Sequence, residues 1–289
     1  MYYYYIYIMK NIYYVIKTYL DNKDKYYYVK IRSHKHYDEI NFGGLRKNCL
    51  EAIVYKELNK GDIKMIQNHK DCSLYDNLKH GDETINFLQN CISFLFNYYE
   101  NIEYLELTDN SFIYCKEGKL SLPDFYTIKY GYTWYESYLD VIPTKNSKKY
   151  INNIKKDIKK RLDDKINLSK DQFFKEYYIY YLKKDKDYRF IFDLYNENIT
   201  FKEYLTGMFN KNIDCYYYIP IFKKIIGNSL HDKEWIIKKK SIEKYKINSI
   251  FQKIDKNIEH TNLEKLKNKI LKIEREEEIK KGGNLTGVI

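Results

Sequence analysis

The sequence predicts an α+β protein: a mixed α/β layer of antiparallel hairpins and helices, followed by an all-helical C-terminal half. Three observations predict it. Apolar runs of strand length alternate with polar turns through the first seventy residues. The run 83–99 then keeps Asn86, Gln89, Asn90, Ser93 and Asn97 on a single stripe at helical spacing. Beyond residue 147, Ser169-Lys-Asp-Gln172, Thr200-Phe-Lys-Glu203 and Thr261-Asn-Leu-Glu264 match the capping box, in which a hydroxyl and a carboxylate or amide reciprocally satisfy orphan backbone donors.

Taken in order, 11–20 and 26–32 read as two strands joined by the polar turn Asp21-Asn22-Lys23-Asp24-Lys25. Gly43-Gly44 breaks the chain, and 51–58 with 63–68 reads as a second hairpin around Asn59-Lys60-Gly61-Asp62. The helix over 83–99 buries Ile85, Leu88, Cys91, Ile92 and Leu95. A strand at 102–107 ends in the turn Asp109-Asn110-Ser111, and Glu117-Gly118 turns a short hairpin between 112–115 and 119–120. Ser121 caps a helix over 123–130 with Pro123 tolerated in its first turn, and Gly131 interrupts it before Thr133-Trp134-Tyr135-Glu136. From Ser147 the chain reads as helix throughout, with Leu263, Leu266, Ile270 and Ile273 in a 3-4-3 rhythm before Gly282-Gly283. The expected domains are 9–143, mixed, and 144–289, helical and basic. Residues 1–8 read as an upstream extension, since Met9 is an equally good start.

At 289 residues the chain can bury a substantial core, and 18% aromatic content excludes disorder. Its 35 Tyr and its many Lys, Asn and Ile are the residues of A/T-rich codons, and only five of 51 basic residues are Arg. The net charge of +11 is therefore partly a property of the genome, yet its distribution is uneven: 145–289 carries a net +13 and 1–144 a net −2. No apolar run approaches the ~18 residues that span a bilayer, and the N-terminus lacks a signal peptide's basic region and cleavage site. Five cysteines at irregular spacing, Cys49, Cys72, Cys91, Cys115 and Cys215, read as reduced thiols, Cys91 as a small hydrophobe in a helix core.

No Walker loop, paired-Cys motif or Ser-His-Asp ordering occurs, and no carboxylate spacing singles out an acid–base pair. His69-Lys-Asp-Cys72 with His80 supplies one close ligand pair where structural zinc uses two, and His34-Lys-His36 with Asp38 and Glu39 reads as a solvated loop, so no metal is expected. The Lys-rich segments 148–160 and 238–240 read as solvated helix faces, with phosphate binding as the alternative.

The succession of strands, Gly turn, helix, strand and helix over 51–139 is similar to the cofactor-binding half of the GNAT acetyltransferase fold. In that family an R/Q-x-x-G-x-G/A segment opens a helix whose amides hold the coenzyme A pyrophosphate. The following strand leads to an Asn, and the next helix carries a Tyr that protonates the thiolate. The resemblance implies acetyl-CoA as cofactor, Gly81 and Thr84 at the phosphates, Asn110 beyond the strand, and Tyr126 or Tyr135 as the acid. The corresponding stretch, Leu78-Lys-His-Gly-Asp-Glu-Thr84, keeps one glycine, lacks the leading Arg or Gln, and puts Asp82 and Glu83 where a pyrophosphate would sit.

A second resemblance is local. Asp109-Asn110-Ser111, Ser121-Leu122 and Tyr130-Gly-Tyr-Thr-Trp-Tyr-Glu136 resemble a segment with a YGxTWYE-type box in uncharacterised proteins of giant nucleocytoplasmic DNA viruses. It implies a viral source and a place in host cytoplasm or virion, and supplies no activity. Trp134 and Tyr135 beside Gly131 suit an anchor for a helix end. The expectation is a non-catalytic binding or virion/host-interaction protein with the helical half as contact surface and a protein partner. The alternatives are a GNAT-like acyltransferase and nucleic-acid binding by the basic half.

Overall fold

In the computed structural model, which describes residues 10–20, 23–44, 47–67, 70–74, 81–182, 189–211, 213–245, 247, 249–254, 268 and 272, the alternating runs of the N-terminus form an antiparallel sheet. The chain divides into two compact units, Met1–Leu105 with Lys238–Ile289, and Glu106–Ile237. The dividing line falls within one strand, Tyr104–Asp109 (β6).

The first unit contains β1 (Lys10–Leu20), β2 (Lys23–Ser33), β3 (Tyr37–Gly43), β4 (Asn48–Tyr55), β5 (Lys60–Ile66) and, from the far end of the chain, β11 (Ser249–Ile254). Their order is β11-β1-β2-β3-β4-β5, with the start of β6 beside β5. Register carries one row of apolar side chains across the sheet. Ile16 stands opposite Tyr27, Val29 opposite Phe42, Ile31 opposite Ile40, Ile40 opposite Ala52, and Ala52 opposite Ile63. Period-2 alternation puts all of them on one face, where α1 (Asp82–Tyr98) covers them. Phe87 meets Tyr27 edge-on at 5.0 Å between ring centroids, and Phe94 meets Phe42 at 5.7 Å. Val15, Tyr26, Tyr28, Leu74 and Ile254 form a smaller cluster.

Several expectations change here. The segment around His34–Glu39, read as a solvated loop, enters β3, and Asp38 is buried where it accepts from Tyr99 Oη at 2.9 Å and from Ser33 Oγ at 2.8 Å. The polar stripe of α1 is not a solvent face: Asn90 and Ser93 are buried, with Asn90 Nδ2 donating to the Asn86 carbonyl at 2.7 Å. Hydrogen bonds made within the helix offset part of the cost of burying them, while Asn90 Oδ1 is left without a partner among the described residues. The C-terminal half is not all-helical, since β10 (Lys233–Lys238) and β11 are strands. Thr18 of β1 stands opposite Ser249 and Tyr13 opposite Ile254, a partnership that no local pattern announces. Cys49 is bonded to Cys72 and Cys115 to Cys215, so four thiols read as reduced are two disulfides, while Cys91 is free and buried in α1.

The second unit holds the rest of β6, the hairpin β7 (Phe112–Tyr114) and β8 (Lys119–Ser121), β9 (Ile142–Pro143) and β10, in the order β6-β10-β9 for the larger sheet. Around them run α2 (Leu122–Tyr130), α3 (Trp134–Leu139), α4 (Lys145–Asp163), α5 (Lys170–Leu182), α6 (Arg189–Asp193), α7 (Phe201–Asn210) and α8 (Ile219–Ile225). Ser121 caps α2 by accepting from Asp124 N, and Gly131 ends it in the left-handed region at φ 84°. The capping boxes at Ser169 and Thr200 form as the residues predict, and a third joins Thr133 to Glu136. In α4 Ile151, Ile154, Ile158 and Leu162 are buried at 3-4-4 spacing, with Lys155 part-buried among them in an ion pair with Glu136 and Lys149, Lys156 and Lys160 exposed. Tyr178 and Tyr204 bury their rings and bond their hydroxyls internally, Tyr204 Oη donating to Tyr178 Oη at 3.4 Å and Tyr178 Oη to the Tyr217 carbonyl at 3.3 Å. The Thr261 box, the 263–273 rhythm apart from Asn268 and Lys272, and residues 1–8 lie outside the described residues.

Candidate functional site

Gly81 stands at the N-cap of α1 with φ 89°, a conformation that favours glycine, and a Cβ there would meet open space. The glycine answers to the backbone, not to a close-approaching neighbour. Asp82 is exposed at the first turn, whereas Glu83 is buried and pairs with buried Lys25 of β2 at 3.4 Å. Thr84 is buried on the same turn. Thus Gly81 and Thr84 come together, while Asn110 is an exposed residue after β6 in the other unit. An anion at this helix start would gain the first-turn amides but would face the Asp82 carboxylate. Tyr135 is buried, and burial reinforced by the charge of Asp109 holds its hydroxyl far above the usual range. Tyr126 is pushed up to about 12, chiefly by burial.

A second gathering of polar groups lies in the Glu106–Ile237 unit. Asp109 is fully buried; one carboxylate oxygen accepts from Ser111 N at 3.2 Å and from Ser111 Oγ, and the other has no hydrogen-bond partner. Burial pushes this carboxyl up to about 6, against the hydrogen bonds of Ser111 and the proximity of His231. Asp124 accepts from Leu230 N at 2.7 Å and from Ser229 Oγ, and His231 Nδ1 lies 2.9 Å from an Asp232 oxygen. His231 Nε2 is buried without a partner. These contacts pin 229–232 to the end of β6 and the start of α2. The turn Asp109-Asn110-Ser111 is visible in the sequence, but no local signal announces that Asp124 meets Ser229 and Leu230 more than a hundred residues on.

The third place is a cleft of about 620 Å³ in the same unit, formed by the last turn of α2, one face of α4 and the start of α7. Ile128, Ile158 and Leu162 floor it, and Lys129, Lys155, Lys156, Lys159 and Lys202 line it against a single carboxylate, Asp163. Lys155 is neutralised by Glu136, whose oxygens both lie 2.6 Å from its Nζ. Lys129, Lys156, Lys159 and Lys202 form no ion pair among the described residues. Lys156 and Lys159 stand three residues apart on α4, where like charges oppose the helix by ~0.2–0.5 kcal/mol per pair unless an anion shields them. Thr127 also lines the cleft, and its buried Oγ1 has no hydrogen-bond partner. The Lys-rich run 148–160 points to the α4 wall; Lys129, Lys202 and Thr127 join it only through tertiary packing.

Among the described residues one group of potential metal ligands comes within range, Cys115, Asp214 and Cys215, and both its sulfurs are joined in the disulfide. No helix among the described residues is long and apolar enough to cross a membrane. No protein-family model, curated protein or solved structure matches the chain.

Proposed function

We propose that the protein is a non-catalytic binding protein whose helical unit takes up an anionic macromolecule in the lysine-lined cleft. The observation that carries this reading is the convergence of Lys129, Lys156, Lys159 and Lys202, free of ion pairs among the described residues, over a space of about 620 Å³. Lysines scattered over a helix by codon usage would face solvent on all sides; these come from three helices and face one space. Each phosphate or carboxylate neutralised there releases bound counterions, so affinity falls steeply with salt. The chemistry is charge neutralisation, with no bond made or broken.

The test is binding of a fluorescent polyanion, read by anisotropy across a salt series. Lys156→Gln with Lys159→Gln is expected to reduce the magnitude of the logarithmic salt slope by about 1.4 for a single-stranded ligand, at ~0.7 for each phosphate no longer neutralised. An unchanged slope and affinity would remove the cleft as the binding surface.

A rival reading, a coenzyme A-dependent acyltransferase, is favoured by one observation: α1 leaves β5 and returns to β6 beside it, with Gly81 at its start. Exposed Asp82 opposes it. A saturable rise in melting temperature with acetyl-CoA, lost in Gly81→Glu, would favour the rival, since a ligand selective for the folded state must stabilise it.

A further inference from the structure

Resting on that reading, we infer that the occupant of the cleft is a single-stranded nucleic acid, with Tyr130 and Tyr132 as the ledge on which its bases stack. Gly131, at φ 84° and ψ −1°, turns the chain sharply at the end of α2, so the residues on either side of it present their rings next to each other. The Tyr130 and Tyr132 rings are stacked, 15° from parallel with centroids 6.0 Å apart, and the two residues are 46% and 43% exposed. Among the described residues no other ring stacks on Tyr132. Tyr130 and Gly131 belong to the cleft lining, so the ledge and the lysines border one space. Lys129 Nζ lies 5.1 Å from the Tyr130 ring centroid, so positive charge and an aromatic face are presented together.

That combination selects among anionic partners. Heparin-like polymers and acidic peptides can meet the lysines, but they have no flat π-face to lay on a tyrosine pair. A duplex has its bases already stacked inside, whereas a single strand offers both backbone charge and unstacked bases. No arginine lines the cleft, so the forked contact that reads guanine edges is missing and binding should tolerate any sequence. The YGYTWYE segment therefore does two jobs. Tyr135 points inward as a buried anchor, and the tyrosines flanking Gly131 face out.

The deciding experiment measures anisotropy of labelled dT and rU 20-mers, a hairpin duplex and heparin with the full chain and its variants, each checked for an unchanged melting transition. Single strands of either sugar are expected to bind roughly ten-fold or more tightly than the duplex. Tyr130→Ala with Tyr132→Ala should weaken single-strand binding by roughly ten-fold or more while leaving heparin unchanged, and the corresponding Phe pair should retain it. Tyr132→Ala alone serves if the double variant melts early. Equal binding of single strand, duplex and heparin, unaffected by loss of the tyrosines but weakened by Lys156→Gln with Lys159→Gln, would overturn the ledge and leave the anionic cleft standing. Binding of every ligand unchanged by the lysine variants would overturn both.

Discussion

Asp109 shows how one side chain couples stability to pH. Its carboxyl is buried with one oxygen unsatisfied, and burial raises its folded pKa from 3.8 to about 6. Below pH 4 folded and unfolded chains both hold the proton. As pH rises from about 4 to about 6 the unfolded chain releases it first, so stability falls, by roughly 3 kcal/mol for a shift of this size, and is level above. Urea midpoints from pH 4 to 7 should therefore fall more for the native chain than for Asp109→Asn, whose amide does not titrate. Parallel profiles would show that the carboxyl is charged throughout and better solvated than its burial indicates. The neighbouring knot gives the shift its structural meaning, since Asp109 sits where 229–232 is held to β6 through Asp232 N and the Asp109 carbonyl at 3.0 Å. Lys25 and Glu83 show the opposite solution to burial. There the two charges are taken out of water as a pair, and the pairing explains why Glu83 does not stand at the helix mouth.

At the scale of elements, caps decide where helices begin. Thr133 Oγ1 accepts from Glu136 N at 3.3 Å while Glu136 returns the bond to Thr133 N at 2.7 Å, and the same carboxylate holds Lys155. Thr200 and Glu203 form the same box in an exposed setting. Thr133→Ala is expected to cost about 1–2 kcal/mol, because it also empties a fully buried site. Thr200→Ala should cost about 0.5–1 kcal/mol. Denaturant unfolding of the two variants in parallel tests the order, and equal losses would show that burial adds nothing to the cap. Arg161 plays a comparable part for α8: its Nη1 donates to the carbonyls of Lys224 and Ile225 at 3.3 and 3.4 Å, satisfying the last turn. One of the chain's few arginines is thus committed to a helix end, not offered to a ligand.

For the whole molecule, the disulfides alter the expected stability most. Cys115 and Cys215 are 100 residues apart in sequence and Cys49 and Cys72 are 23 apart, so the first closes the longer loop and restricts the unfolded chain more. In the loop-entropy view, replacing Cys115 and Cys215 by Ser should cost about 5 kcal/mol, against about 3 kcal/mol for the shorter loop. A simpler measurement comes first: thiol titration of the denatured, unreduced chain should find one reactive cysteine, Cys91. A count of five would return all the thiols to the reduced state read from the sequence and would remove the expected difference between the two loops.

The sequence by itself determined what depends on neighbours along the chain. Alternation laid down β1, β2, β4 and β5, helical spacing laid down α1, and Ser121, Ser169 and Thr200 announced the helices they cap, because propensity, periodicity and capping are local. Tertiary structure decided what depends on partners far away. The run Ser249–Ile254 becomes a strand because β1 offers an open edge to pair with, and Asp38 leaves solvent because Tyr99, 61 residues on, reaches its carboxylate. Asn90 is buried with its Nδ2 held by Asn86 one turn earlier and its Oδ1 left without a partner among the described residues, an outcome of packing and not of spacing. Two pairs of cysteines meet, and four lysines from three helices turn toward one space. Those outcomes turn on which surfaces face each other after collapse, and neither composition nor spacing carries that information.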